Sequence, residues 1–542
     1  MGMLFIWLQA WLGAAVLLSG AGEAESMDES VLERFEAMHA RPVPLNLASR
    51  SRLLSSGLLT AYQVASLTDY RLRYGDILSV EELALVDGFG REVAEALVPF
   101  VSFRSASLPG VADSIRSPVR QHLEFRTKGP AFKYRLCLGE RAEAGFSWKG
   151  AFPAGAYGVY YGDGRLGKVV AGRFNVRFGQ GLAVWSGFVI EDLLTPSSFV
   201  KKASGISPTH SYNPESAFLG AAADFAFGRW DLSVYAADSG SGVNAGWSWR
   251  SGRAGLSVIL PDYRSPPRIS TDVRWNPRGV QLFGELAFAP AKGHVAAVGG
   301  LLTPIGEHLQ AALRLSVLPS AYTHKKYGEY SAVASIGFTA GKYVQLKGRT
   351  GFGASEIRHR GALAASYAAM PIPGEDPRRY MLKIKAEWRW RISPSCDLQV
   401  RASERLRNYA SERSRTEVRA DFGWSKGTWW SRCRLDGVWC DGGGILAYAE
   451  GGYSGSFLSF SARCTIFRTA AWASRIYSYE RDAPGNFNVP VYYGEGWAGT
   501  LLIGARQSWR YATLKTWARL SVVQKKSGNA VPGLSMQVQV SI

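Results

Sequence analysis

From about Val119 to its end the chain alternates apolar and polar residues with a period of two. Tyr380, Leu382, Ile384, Ala386, Trp388 and Trp390 alternate with Met381, Lys383, Lys385, Glu387, Arg389 and Arg391. Thr416, Val418, Ala420, Phe422 and Trp424 alternate in the same way with Glu417, Arg419, Asp421 and Gly423. The final segment sets Leu534, Met536, Val538, Val540 and Ile542 against Ser535, Gln537, Gln539 and Ser541. Successive side chains of a strand point to opposite faces, so each segment predicts a strand with one oily and one polar face. Gly, Asp-Gly and Pro-Gly turns separate the strands. Before about residue 104 the rhythm is helical. Val31, Leu32, Phe35 and Met38, capped by Ser26 or Asp28, predict one helix, and Leu53, Leu54, Leu58, Leu59, Val64, Leu67 and Tyr70 continue a helical stripe up to Gly75.

A soluble sandwich also alternates, so scale and aromatic content decide between the two. No long amphipathic helix is present beyond the first hundred residues to cover a soluble sheet. The chain has 18 Trp, 24 Tyr and 25 Phe, and Trp424, Trp429, Trp430 and Trp439 fall near strand ends, where an interfacial girdle belongs. The predicted fold class is mainly β: a large transmembrane antiparallel β-barrel preceded by a small all-α domain. A spanning strand takes about 9–11 residues, and strand plus turn here takes roughly 16–20, which gives about 22–26 strands. A barrel of that size encloses a water-filled or plugged lumen. Lys383, Lys385, Arg389, Arg401 and Arg419 are the candidate pore-lining residues, and their charge would favour anions or polyanions. The competing reading pairs these cations with acids or puts them on loops.

Composition divides the chain. Met3 to Leu18 is almost wholly apolar and is followed by small residues, as in a secretory signal peptide spanning residues 1–22, though no Lys or Arg precedes the apolar run. Residues 23–104 are the helical domain, 105–118 a linker rich in Ser, Ala, Pro and Gly, and 119–542 the barrel. The formal net charge is +19; residues 1–40 carry −5 and residues 41–104 carry zero, so the whole surplus, +24, lies beyond residue 104. After the leader, no apolar run reaches the length of a spanning helix. The five cysteines are scattered without a Cys-x-x-Cys pair, which argues against a disulfide framework and a zinc site. The seven histidines show no metal-ligand spacing. No metal, cofactor or catalytic residue is expected.

Within the helical domain, Leu83 to Leu97 reads as two short helices joined by Gly88-Phe89-Gly90. The glycines permit a sharp turn, and the helix beginning at about Arg91 points its unpaired N–H groups out of it. Gly88, Phe89, Gly90 and Arg91 are therefore the candidate phosphate-binding residues. Asn46 or Ser49 is expected to cap an earlier helix, and Ser79 with Glu82 has capping-box spacing. The pattern Leu-x-x-Val-x-Gly-Phe-Gly-x-x-x-Ala-x-x-Leu resembles the helix-hairpin-helix motif of sequence-independent DNA-binding proteins. With Asn46-Leu-Ala-Ser49 and the tract Asp69 to Gly75, residues 42–104 resemble the tandem helix-hairpin-helix domain of the ComEA type. The first hairpin, Ser56 to Thr60, departs from that pattern by lacking a Gly-x-Gly turn. Glu81, Glu82, Asp87, Glu92 and Glu95 crowd the second turn, and the plainer reading is a packing or protein-docking module.

Ala171 to Phe188, Ser211 to Ala223 and Arg475 to Asn488 resemble segments of large Gram-negative barrel proteins that carry a helix-hairpin-helix domain. The resemblance implies an outer-membrane location with the N-terminal domain in the periplasm. The implied partners are DNA bound without sequence preference, outer-membrane lipid and a periplasmic protein. Val189 to Ser216 is expected to form either an extracellular loop or a lumen constriction. Gly162 to Lys168 matches Gly-x-Gly-x-x-Gly, but strand patterns flank it and Val169 stands where a phosphate loop has Ser or Thr, so it predicts a hairpin turn. No nucleophile and base fall at a recognisable spacing, and no enzyme is expected. The functional expectation is an outer-membrane channel or receptor that binds or passes DNA. The alternative is a structural or transport barrel whose helical domain is a plug or docking module.

Overall fold

Ser49 starts the first well-formed helix, α1 (Arg50–Ser55), by accepting a hydrogen bond from the Arg52 N–H at 3.3 Å. This computed structural model describes residues 35, 38, 39, 42–105 and 119–542, apart from residues 140, 163, 187–193, 202, 214–215, 250, 263–265, 291–292, 307, 324–327, 345–353, 372–378, 411, 487 and 527. The expected leader, nearly all of the expected linker and most of the helix expected after Ser26 lie outside these residues. Asn46, the other candidate cap, caps nothing. Its amide instead donates to the Ile77 carbonyl at 2.8 Å and accepts from the Ile77 N–H at 3.0 Å, which ties the two halves of the domain together.

The single stripe expected from Leu53 to Tyr70 is broken in the structure. Gly57 turns the chain at φ 70, and Thr60 and Gln63 then form a full capping box that opens α2 (Ala61–Tyr74). Apolar spacing alone did not show the break, because Leu58 and Leu59 are buried in the turn as they would be in a helix. Ser79 caps α3 (Val80–Leu85), but Glu82 completes no box. Its carboxylate takes the Leu78 N–H at 2.9 Å and the Tyr70 hydroxyl at 3.0 Å. The helix α4 (Gly90–Leu97) follows, and a parallel pairing of Val43–Pro44 with Val101–Ser102 brings the two ends of the domain together. Leu45, Leu53, Leu67, Ile77, Leu83, Leu97 and Phe100 form its dry core. Each contributes about 1.5–3 kcal/mol by leaving water.

Residues 119–542 form one closed antiparallel barrel of 24 strands. The last strand, Val531–Ser541, pairs with the first, Val119–Arg126, and closes the ring. The Gly162–Lys168 tract is a hairpin, with strands ending at Tyr161 and starting at Leu166. The alternation read from the sequence sets the two faces. Leu256, Leu286 and Leu534 face outward, 51%, 54% and 63% exposed, whereas their neighbours Ser257 and Glu285 face inward, 1% and 2% exposed. This is the polarity of a soluble protein turned inside out.

Exposed aromatic residues gather at both rims. Phe125, Trp148, Phe288, Tyr330, Trp439 and Trp497 lie toward one end, and Phe227, Trp230, Trp275, Trp429, Phe457 and Trp509 toward the other. Two-residue turns occur at both ends, at 228–229 and 427–428 at the second, where the barrel also begins and finishes, and at 150–151 and 238–239 at the first. The first end carries the two longest excursions, between Arg177 and Phe218 and between Thr469 and Glu495.

Candidate functional site

The inward face of the barrel is ionic, and the sequence-predicted cations all lie on it. Lys383, Lys385 and Arg389 sit on the strand Arg379–Ser393, Arg401 on Cys396–Arg407 and Arg419 on Ser414–Lys426, with Arg401 and Arg419 directly across from each other. Their surroundings are those of a ladder of mixed charge. Arg401 pairs with Glu387, Arg419 Nε lies 2.6 Å from Asp436, and Arg389 Nη2 lies 3.2 Å from Asp397. Arg434 Nε adds a pair with Asp421 at 2.7 Å. Arg389, Arg401 and Arg419 thus face inward and pair with acids at once.

Described residues between Arg177 and Phe218 cross the lumen. At Gly172 (φ 102) the chain parts from the strand Phe152–Tyr161 while staying paired with Phe218–Phe227 as far as Phe174, and a Cβ there would meet the Ala156 carbonyl oxygen at 2.4 Å, so only glycine fits. The turn Phe178-Gly-Gln-Gly-Leu-Ala183, with positive φ at both glycines, then aims three backbone N–H groups at one buried carboxylate. Those of Gln180, Leu182 and Ala183 reach Glu285 at 2.6, 3.1 and 3.3 Å. Further on, Ser335 donates to the Leu194 carbonyl, and Phe199 is buried against Phe283, Ala312 and Val333. The segment returns past Tyr212, whose hydroxyl donates to Glu124 at 3.2 Å. Ser335 and Glu124 lie on strands about half-way round the ring from each other. Of the two placements expected for Val189 to Ser216, its described residues take the one inside the lumen.

The second excursion also folds inward. Arg126 donates to the Gly485 carbonyl at 2.8 Å, Asn486 to Gln537 at 3.0 Å, and Arg463 to the Tyr479 carbonyl at 2.6 Å. The buried Glu480 receives Arg519, the Tyr492 hydroxyl and Asn488. Arg126 joins the two excursions, since it also pairs with Glu124 at 2.6 Å and stacks over the Tyr212 ring at 4.5 Å.

The helical domain enters the opposite mouth. Arg50 of α1 reaches Asp231 at 3.2 Å, Ser248 Oγ at 3.1 Å and the Gly228 carbonyl at 3.4 Å. Arg253, 2.8 Å from Asp231, shares that carboxylate. Arg52 lies over the Tyr161 ring, and a Cβ on Gly167 would strike Ser51 Oγ at 2.1 Å. Leu54 reaches within contact distance of Gly205, a residue of the first inward excursion. The domain entering one mouth and the chain descending from the other therefore meet inside the barrel.

Two short helices, α3 and α4, pack on each other across the turn that holds Gly88 and Gly90, at φ 85 and φ 63. Gln63 fixes the turn by donating to the Gly88 carbonyl at 2.8 Å, and Phe89 is buried beneath it. Gly90 opens α4 with no side-chain cap, and a Cβ there meets nothing within 4 Å. The turn is thus open to a ligand, though Glu81, Asp87 and Glu95 stand exposed around it. Arg91 lies in the first turn of α4, and its side chain is outside the described residues.

Sequence reasoning missed Glu285, the Glu124–Arg126 pair and the Arg50–Asp231–Arg253 seat. Alternation marked the barrel members of these groups as inward. Nothing in the sequence paired them with residues about a hundred or more positions away.

Among the described residues no group of three His, Cys, Asp or Glu is placed to hold a metal. No family model and no curated protein matches the chain. Its fold is similar to solved structures at low scores. The copper transporter OprC is 10% identical with a TM-score of 0.37, over 78% of this chain and 80% of that one. The translocation pore of the P pilus usher PapC is 9% identical with a TM-score of 0.34, over 78% and 97%. The outer membrane protein opdK from Pseudomonas aeruginosa is 11% identical with a TM-score of 0.31, over 78% and 99%. Likeness this distant decides nothing about what this chain does.

Proposed function

We propose that this chain spans an outer membrane as a transport channel or receptor whose lumen its own helical domain closes from the periplasmic side. The observation that carries the reading is Arg50, seated among Asp231, Ser248 and Gly228 at the barrel mouth. The membrane is inferred from the outer face. Trp429 and Trp439 face outward at opposite ends of an 11-residue strand. At about 3.3 Å per residue and a tilt of about 40°, they stand roughly 25 Å apart along the barrel axis, the height of the apolar band of an outer-membrane barrel. Such barrels keep short turns in the periplasm and long loops outside, which supports placing the helical domain in the periplasm.

Conductance in planar bilayers tests the plug. The full-length protein is expected to be nearly silent, Arg50→Asp to open large steps, and Arg50→Asp with Asp231→Arg to restore silence. An Arg50→Asp protein as quiet as the parent would overturn the reading.

The open Gly88–Gly90 turn favours a second reading of the cargo, DNA held by its phosphates without sequence preference. In this reading the turn amides and Arg91 grip the polyanion, and Lys383, Lys385, Arg389, Arg401 and Arg419 line its path. The acids around the turn weigh toward a protein partner instead. Titration of the detergent-solubilised full chain with a short duplex at low salt separates the two. Binding that weakens several-fold in Gly90→Val supports the DNA reading, and binding indifferent to that change sinks it.

A further inference from the structure

The outward face of a membrane barrel is expected to be apolar between its girdles and sparing in charge. On three adjacent strands a charged row stands at the edge of that face. Arg468 lies one residue from the end of the strand Leu458–Thr469, Glu495 is the first residue of Glu495–Ser508, and Lys526 follows the last residue of Thr513–Lys525. Arg468 and Glu495 are register partners, and the Lys526 N–H donates to the Glu495 carbonyl at 2.8 Å, so the three stand in one row. The next row inward along the same strands is Ile466 and Trp497, both exposed on the outer face. The charged row therefore shares the lipid-facing side and lies just beyond the apolar band, at the end that carries the long excursions.

The row has charge to spare. Lys526 Nζ lies 3.2 Å from Glu495, but Arg468 Nε is 3.9 Å from the same carboxylate, too long for a hydrogen bond. Both cations remain open to the surroundings, their side chains 78% and 74% exposed. One carboxylate between two cations leaves a net charge of +1 and a guanidinium fork with its donors available, the geometry that suits a phosphate oxygen. The exposed Trp472 ring, packed edge-on against Tyr493, adds an amphipathic surface at the same rim.

We infer that Arg468 and Lys526 form a docking surface for the phosphorylated headgroup of a membrane glycolipid in the outer leaflet, with acyl chains lying over Ile466 and Trp497. The inference rests on the membrane orientation proposed above. Lipid phosphates at this depth would hold the strand ends that frame the second inward excursion, which leaves the wall at Thr469 and rejoins it at Glu495.

The test measures affinity of the full-length detergent-solubilised protein for a bisphosphorylated glycolipid, its dephosphorylated form and inorganic phosphate. The bisphosphorylated lipid should bind most tightly, and Arg468→Ser with Lys526→Ser should weaken it about 30-fold, on the basis of about 1 kcal/mol per basic residue near an anionic surface. Glu495→Gln, which removes the competing acid, should tighten it. Equal binding of the dephosphorylated lipid, or a double variant that binds like the parent, overturns the inference. Inorganic phosphate competing as well as the lipid overturns it too, since the site would then bind a free anion. None of these outcomes alters the conductance of Arg50→Asp, so failure here and failure of the plug are told apart.

Discussion

Two sectors of one barrel wall obey the same alternation and end in different states. Around the first strands, inward ions are dry: Glu124, Arg126, Lys133, Lys168, Arg253 and Glu285 are all buried. Around the strands Arg379–Ser393 and Cys396–Arg407 the inward ions are less covered: the Arg389 side chain is 51% exposed although it pairs with Asp397, and Arg401 and Glu387 keep 14% and 19%. The difference is not in the strands. In the first sector inserted chain covers the ions and supplies their partners, such as the amides of the Gly179–Gly181 turn for Glu285. In the second the cations pair along the wall itself, as Arg389 does with Asp397 and Arg401 with Glu387. A buried pair that loses one member leaves an uncompensated charge, whereas an exposed pair loses little. The filled sector should therefore respond strongly to single changes and the open one weakly.

The largest effect is expected at Glu285. Glu285→Ala removes one carboxylate and strands three inward-pointing amides, at a cost of about 3–5 kcal/mol to the seating of the excursion. Hydrogen exchange at residues 178–186 should rise by orders of magnitude in that variant. Unchanged protection would show that the apolar seat of Phe199 holds the segment alone.

Acidification should separate the sectors next. His210, on the returning limb of the excursion, is held well below its ordinary value of 6.5 by burial first and then by the charges of Arg135, Lys133 and His122, with the Tyr157 ring 5.3 Å away. A histidine depressed in the folded state gives its full stability above pH 6.5. That stability is lost as the pH falls below 6.5, at about 1.4 kcal/mol per pH unit, until His210's own value is reached. Protection of residues 205–212 should fall between pH 7.5 and pH 5 in the parent and stay level in His210→Phe. A parent protein without the loss would place the proton elsewhere.

The smallest effect is expected at Arg389. Arg389→Ala should change stability by less than about 1 kcal/mol, because the pair is exposed and screened. It should still lower the anion preference of the opened Arg50→Asp channel, measured as a reversal potential in a salt gradient. A destabilisation as large as that of Glu285→Ala would erase the contrast between the sectors.

Much of this architecture was legible in the chain. The period-two pattern placed Lys383, Lys385, Arg389, Arg401 and Arg419 on the inward face, because a strand leaves a side chain only two directions. Residue counting bracketed the 24 strands, since membrane thickness fixes strand length. Local chemistry was legible where partners are neighbours, as with the Ser49 cap and the turn between Tyr161 and Leu166. It misled where another partner displaced the expected one. Asn46 was drawn off its expected cap by Ile77, and Glu82 off its box by Leu78 and Tyr70.

The sequence by itself determined the faces, the scale of the barrel and the presence of a separate helical domain, all of which follow from periodicity and local spacing. Only the tertiary structure decided that the lumen is occupied. Whether the described chain between Arg173 and Ala217 runs outside the barrel or across it depends on Glu285, Ser335 and Glu124, about 90 to 140 residues from the groups they hold. Whether the helical domain hangs free or sits in the mouth depends on Arg50 meeting Asp231. Closing the ring brings these pairs together, and no periodicity records a contact between elements that are neighbours only after closure.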